Sequence, residues 1–383
     1  MTTRAFASVF AGLWLLAGIP VAGASRLATG AVEPRDERSA NKPAREGPAA
    51  LLELTDDELK ARVENDLPSL GSLTIGRPGG AILINAVSMP AGPGWQIAPA
   101  ADTWGTSETM AGIQTAIDKV HELFPDTQPL FIGDISYADG GRMKRHESHQ
   151  GGRDADLGFY YKSGQPRWFE AGTAANLDVA RNWALVRALV TCTDVEAIFL
   201  DTRIQKLLYT YALSISEDKA WLDRVFQFSR GYKNAIVSHV PLHRTHYHVR
   251  FYNPVAQELG RRAFPYLVDA NIVKPPVYSV RHVVTSGQTL GLLAARYGTS
   301  VRAIMQANGL TTTQLRAGRS YRIPVKTAAP PIAPVVIPLR TLPTQTPAAL
   351  ATAEWPTMMS LYGDRLASLM DIPWALGFSL PRF

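Results

Sequence analysis

Residues 246–252, His-Tyr-His-Val-Arg-Phe-Tyr, alternate between polar and apolar side chains. A period of two belongs to a β-strand with one face buried and the other open. His246, His248 and Arg250 then share the open face, while Tyr247, Val249 and Phe251 face the core. The run Asp154-Ala155-Asp156-Leu157-Gly158-Phe159 follows the same logic. Its two carboxylates share one face if it is a strand, and Ala155, Leu157 and Phe159 point inward. A chain with two such segments needs a sheet covered on one side by an apolar layer.

The rest of the region supplies that layer. Met110, Ile113, Ile117, Val120 and Phe124 recur at helical spacing and predict a helix over 107–124. Val179, Trp183, Val186 and Val190 predict another over 178–190, and two further helical stretches follow at 204–213 and 218–228. Residues 130–135 and 197–200 read as strands. This mixture implies an α+β domain.

At 383 residues and 46% hydrophobic composition, the chain can bury a full core and holds more than one domain. Residues 1–24 read as an export signal: Arg4 leads an uncharged run, and Ala22-Gly23-Ala24 offers small residues for cleavage. An uncleaved membrane anchor is the alternative, and only then would the membrane be a partner. Residues 25–50, rich in proline and charge, read as a disordered linker. The main folded region is expected over 51–271 and a short second domain over 278–325. Residues 326–347, rich in Pro, Ala and Thr, suit an extended linker, and 348–383 form a tail of unassigned role.

Cys192 is the single cysteine, so no intramolecular disulfide can form; its apolar helix-like setting predicts a buried, inert thiol. Its distance from the signal excludes a lipidated cysteine after the cleavage site. The net charge of +6 suits an exported protein that meets the polyanions of a cell envelope. Nucleic acid is not indicated, because no Lys/Arg block is interleaved with aromatics.

Five of the eight histidines fall in two tight groups, His146 with His149 and His243 with His246 and His248. Gly151-Gly152 lets the chain turn between His149 and the Asp154-x-Asp156 segment. Catalytic zinc takes three N/O protein ligands and keeps a position open for water, and His149, Asp156 and His248 would supply that set. Such an ion acidifies its water and polarises a scissile carbonyl. A base must then move the proton, with His246 the first candidate and His243 the second. Arg153 or Arg250 could orient a substrate carboxylate. His121, His239 and His282 read as structural.

The run from Ser148-His149-Gln150 to Asp156, followed by His243-x-x-His246-x-His248-Val-Arg, resembles the penicillin-insensitive murein endopeptidase family. The resemblance extends to Trp104-Gly105-Thr106, Gly133-Asp134-Ile135-Ser136 and Gly140-Gly141-Arg142 and covers 67–252. It implies a zinc peptidase domain with a central antiparallel sheet flanked by helices. His149, Asp156 and His248 look like its zinc ligands, His246 its catalytic histidine and His243 another histidine near the metal. His146 matches a histidine that some members place near metal. The implied reaction is hydrolysis of the D-alanyl to meso-diaminopimelyl cross-link of peptidoglycan, without a serine nucleophile. Some members look disulfide-stabilised; with only Cys192, this chain cannot be.

His282-Val283-Val284-x-Ser286-Gly287-Gln288-Thr289-Leu290, Ala294-x-x-Tyr297-Gly298, Ile304-x-x-Ala307-Asn308-Gly309-Leu310 and Tyr321-x-Ile323-Pro324 resemble a LysM module of β-α-α-β form. Gln288 stands where an aspartate is usual. Such modules bind N-acetylglucosamine chains between two loops, here Gly287, Gln288, Thr289 and Leu290 on one side and Asn308, Gly309 and Leu310 on the other. Two other functions fit the same motifs: a D,D-carboxypeptidase acting on stem peptides, and a non-catalytic peptidoglycan-binding protein.

Overall fold

The computed structural model describes residues 48–99, 101–230, 234–274, 278–325, 332–347 and 350. The expected export signal (1–24), nearly all of the linker at 25–50 and the tail beyond 350 lie outside the described residues. Among those described, no helix is long and apolar enough to cross a membrane.

In chain order the larger body contains α1 (Asp56–Asn65), β1 (Leu73–Ile75), β2 (Ile82–Ile84), β3 (Val87–Ser88), β4 (Trp95–Ile97), β5 (Trp104–Gly105), α2 (Ser107–Leu123), β6 (Leu130–Ile132), β7 (Asp154–Leu157) and α3 (Val179–Cys192). It continues with β8 (Val195–Phe199), α4 (Thr202–Ser214), α5 (Lys219–Val225), α6 (Gln227–Arg230), β9 (Val237–Ser238), β10 (Tyr247–Phe251) and α7 (Pro254–Asp269). The architecture is α+β, as the sequence predicts. Its main sheet has the order β4-β6-β7-β10-β8-β9, antiparallel from β6 through β8 and parallel at both edges.

The expected alternation sets the core. Ala155, Leu157, Tyr247 and Val249 are each fully buried on one face of the β7–β10 pair. Helices α2 and α3 pack on each other, with Ile113, Ile117, Val120, Trp183, Val186 and Leu189 inside the same cluster. Both start where a side chain satisfies free backbone N–H groups. Thr106 accepts from Thr109 N–H ahead of α2, and Asp178 accepts from Arg181 N–H ahead of α3.

Two boundaries and one expected burial turn out differently. Strand β6 stops at Ile132, because Gly133 N–H and the Asp134 carbonyl both bond the single residue Asp156 of β7 and break the regular pairing. The stretch 218–228 divides into α5 and α6 at Phe226, whose backbone is extended and whose ring is fully buried. Cys192 is exposed rather than buried. It is the last residue of α3, and the apolar face that suggested burial belongs to its neighbours Leu189 and Val190.

A second cluster lies between α1, the β1–β2 hairpin and α7, with Leu59, Leu73, Leu259 and Ala263 buried. Beyond it comes a smaller unit of β11 (Tyr278–Val283), α8 (Leu290–Arg296), α9 (Val301–Asn308) and β12 (Ser320–Val325), its strands antiparallel. Leu290, Leu293, Ile304, Tyr321 and Ile323 form its core. Ser300 caps α9, and Gly309 ends it in a left-handed conformation (φ 61°).

The chain then returns to the larger body. Ile332 packs on the second cluster. Arg340 Nη1 donates to the carbonyls of Val190 and Thr193 at the end of α3, at 3.0 and 2.9 Å. Thr341 accepts from Arg224 and Thr344 donates to Asp218. Leu350 is buried in the main core.

Candidate metal centre

The site grows from the register of two strands. His248 lies directly opposite Asp156 and Arg250 opposite Asp154, so all four side chains share one face of the β7–β10 pair. The loop before β7 brings His149 to the same place. Thr106 N–H and the Thr109 hydroxyl both donate to the Gly152 carbonyl, at 3.1 and 2.7 Å, which locks the loop to the start of α2. Gly152 has φ 68°, and a Cβ there would lie 2.7 Å from the Gly105 backbone. His149 itself has φ 62° and is fully buried. A left-handed histidine costs on the order of 1–3 kcal/mol and persists only where its surroundings impose it.

The buried polar atoms define what the cluster can do. His149 Nε2 lies 3.3 Å from Asp156 Oδ1, and neither atom has a hydrogen-bond partner. His149 Nδ1 is 3.1 Å from the Ile135 carbonyl, a bond that leaves the Nε2 lone pair free. His248 is held in the complementary sense. Its Nε2 bonds Asp154 Oδ1 at 2.7 Å, while its Nδ1 lies 3.9 Å from Asp156 Oδ1. Arg250 Nε donates to the same Asp154 oxygen at 2.7 Å and stacks its guanidinium over Phe199. An unpartnered buried nitrogen backed by a bond on its far side, beside an unpartnered buried carboxylate oxygen, fits a metal ion.

The nitrogens of His146 and His149 and an oxygen of Asp156 lie within 4.8 Å of one another, a group able to hold a metal ion. His146 Nε2 also bonds Asp134 Oδ2 at 2.9 Å. Asp134 accepts from Asp102 N–H, and its carbonyl accepts from Asp156 N–H.

His246 precedes β10, with Nε2 3.6 Å from Asp156 Oδ1 and Nδ1 2.9 Å from the Thr245 hydroxyl. The His243 ring is 5.1 Å from that of His246 and 5.6 Å from that of His248, and its Nδ1 faces the Pro241 carbonyl at 2.9 Å. Phe169 lies flat on His246, with ring centres 5.3 Å apart.

Electrostatics separates these groups. Burial alone would raise the Asp154 and Asp156 carboxyls, but the adjoining histidines, and Arg250 for Asp154, hold both well below the usual carboxylate range. Burial opposes charge on His149, yet the neighbouring Asp156 outweighs it and the net shift is upward. Burial lowers His246 to about 4, opposed by Asp156 and reinforced by His243 and His248. His248 is also lowered, by burial first, with Asp154 acting against it. A place that draws positive charge between His149 and Asp156 therefore adjoins an imidazole that stays neutral.

The structure brings His146, His149, Asp156, His243, His246 and His248 together and leaves Arg153 apart, its guanidinium paired with Glu196 at 3.0 Å. His239 accepts from Thr202 N–H at the start of α4, a structural use. Sequence reasoning gave no role to Asp134, Asp154, Trp168 or Phe169. The spacing of Asp154 from Asp156 was the available signal for one of them; the others depend on contacts across the fold. In the small unit Gln288 accepts from Thr285 N–H and bonds His282, and Asn308 bonds the Arg322 backbone through both side-chain atoms. Leu290 is buried in that unit's core.

These features define a class: an α+β protein whose central strands carry a buried His–Asp group able to hold a metal ion. Residues 74–265 match the family model for penicillin-insensitive murein endopeptidase, and 282–324 match that for the LysM domain. The chain belongs to the penicillin-insensitive murein endopeptidase family and carries a C-terminal LysM domain. It is a peptidase that acts on peptidoglycan, which places it in the cell envelope or outside the cell. A comparison with curated proteins gave no match.

Proposed function

We propose that this chain is a zinc-dependent endopeptidase that hydrolyses the D-alanyl to meso-diaminopimelyl cross-link of peptidoglycan, with its LysM domain on the glycan strands. The observation that carries the reading is the unpartnered buried pair His149 Nε2 and Asp156 Oδ1, with His248 Nδ1 facing the same oxygen. Those three residues would hold the ion through two nitrogens and a carboxylate, a set that suits catalytic zinc. His146 is the alternative to His248 as third ligand; its bond to Asp134 favours His248, whose Nδ1 is uncommitted. When bound, zinc would supply a Lewis acid and an acidified water.

The protein's own groups do the rest. In the tautomer that donates Nδ1–H to the Thr245 hydroxyl, His246 keeps a lone pair on Nε2, and its lowered pKa leaves it neutral near pH 7. It can take the proton of an attacking water and return it to the leaving amine. His243 is the second candidate for that work. Arg250 orients His248 through Asp154 and is the better placed arginine for a substrate carboxylate, since Arg153 is spent on Glu196. In the LysM domain, Gly287 and Gly309 are left-handed and the Gln288 and Asn308 side chains are committed internally. The two turns would therefore meet glycan chiefly through backbone groups.

Metal content and hydrolysis of purified cross-linked muropeptide dimers test the reading, in the wild type and His248→Ala. One zinc per chain, dimers converted to monomers and loss of both in the variant are expected. Bound zinc with trimming of uncross-linked stems alone would make the protein a D,D-carboxypeptidase. Absence of both zinc and cleavage, with wall binding retained, would leave a non-catalytic binder.

A further inference from the structure

Phe169 combines three properties that seldom meet in one residue. It is 58% exposed, its backbone is left-handed (φ 64°), and its ring lies on His246 at 5.3 Å with only 18° between the planes. An exposed phenylalanine gains little from packing, so burial does not account for the strained backbone. The loop around it is held from several sides. Tyr161 donates its hydroxyl to the Glu170 carbonyl, Asn176 donates to the Glu170 side chain and the Ala171 carbonyl, and Arg167 pairs with Glu170. Gly172 N–H donates to the carbonyl of Arg244, inside the histidine segment. Trp168 lies so close on Gly133 that a Cβ there would come within 2.2 Å of its ring. The loop is thus fixed to the sheet on one side and to the 243–246 segment on the other.

We infer that Phe169 is a positioning residue for His246: the loop spends backbone strain to hold a flat ring against the imidazole, fixing the direction in which Nε2 points. This rests on His246 being the proton-transferring group. Thr245 holds one edge of the imidazole and Phe169 lies along one face, so both oppose rotation of the ring. Misplacing a reacting group by about 1 Å can cost up to ~100-fold in rate.

The decisive variant is Phe169→Gly in the full-length, metal-loaded protein, because glycine removes the ring and also suits the left-handed backbone. The expected result is a kcat lowered roughly 10- to 100-fold with KM changed less than about threefold. The melting temperature should be unchanged or higher, Phe169→Tyr should keep near-native kcat, and Phe169→Gly should cause no further loss in a His246→Ala background. An unchanged kcat, a loss confined to KM, or a melting temperature that falls with activity would each overturn the inference. A readout independent of turnover is the His246 ring signal in the NMR spectrum, shifted by the Phe169 ring current in the wild type. It should move and broaden in Phe169→Gly, and a sharp, unmoved signal overturns the inference. A wild type with that signal but no hydrolysis would instead sink the peptidase reading.

Discussion

At the scale of single residues, Asp154 explains more of the site than its position announces. It touches His248 and Arg250 and lies two residues from Asp156, and it meets the candidate ion site through His248. A carboxylate behind a ligating histidine fixes its tautomer and raises its basicity. Asp154→Asn keeps the shape and removes the charge, so zinc affinity should fall about 10- to 100-fold. Chelator competition on the purified protein measures this. Unchanged affinity would reduce Asp154 to a partner of Arg250. Gly133 gives a second prediction at this scale: a Cβ there would lie 2.2 Å from the Trp168 ring and 3.2 Å from Asp156 Cβ, so Gly133→Ala should lower both hydrolysis and the metal content of the purified protein.

At the scale of elements, the site depends on how helices are pinned beside the sheet. Asn253, left-handed at φ 48° and buried, donates to the hydroxyls of Thr106 and Thr109 at 2.5 and 2.6 Å. It ties the start of α7 to the start of α2, where Gly152 is also held. Asn253→Ala leaves a buried hydroxyl pair short of a donor and puts alanine in a left-handed conformation, at a cost of about 2–3 kcal/mol. Urea unfolding of the full chain should show that loss, and a change under about 0.5 kcal/mol would reject the account. The elements themselves were legible where period and burial agree. The 246–252 alternation gave β10 almost to the residue, and the Met110–Val120 spacing gave α2. The candidate ligands were legible as two histidine groups, because motif spacing is local. The contacts behind them were not. Asp134 on His146, Phe169 on His246 and Asp154 on His248 depend on register and loop placement that no local pattern encodes. Cys192 departs from its expected burial for a different reason: helical spacing marks a face but does not say which residue ends the helix.

At the scale of the whole molecule, the stretch after the LysM domain matters more than its Pro, Ala and Thr content suggests. Leu350 is 2% exposed in the main core. Leu350→Ala should destabilise the protein by about 2–4 kcal/mol, seen as an earlier unfolding transition of the peptidase body. An unaltered transition would mean that this stretch is a passive passenger. The LysM core shares no residue with that cluster, so its own unfolding should be unchanged.

That returning stretch has a consequence for how the protein survives where other hydrolases are at work. Val273 is buried in the second cluster just before the LysM domain, and Ile332 packs on the same cluster just after it. A domain hung from one end of a chain is shed by one proteolytic nick. Here a single cut between 274 and 278 leaves the LysM domain attached through Ile332, Arg340 and Leu350, whose contacts are non-covalent but many. Separating anchor from blade takes two cuts, one on each side of the LysM domain.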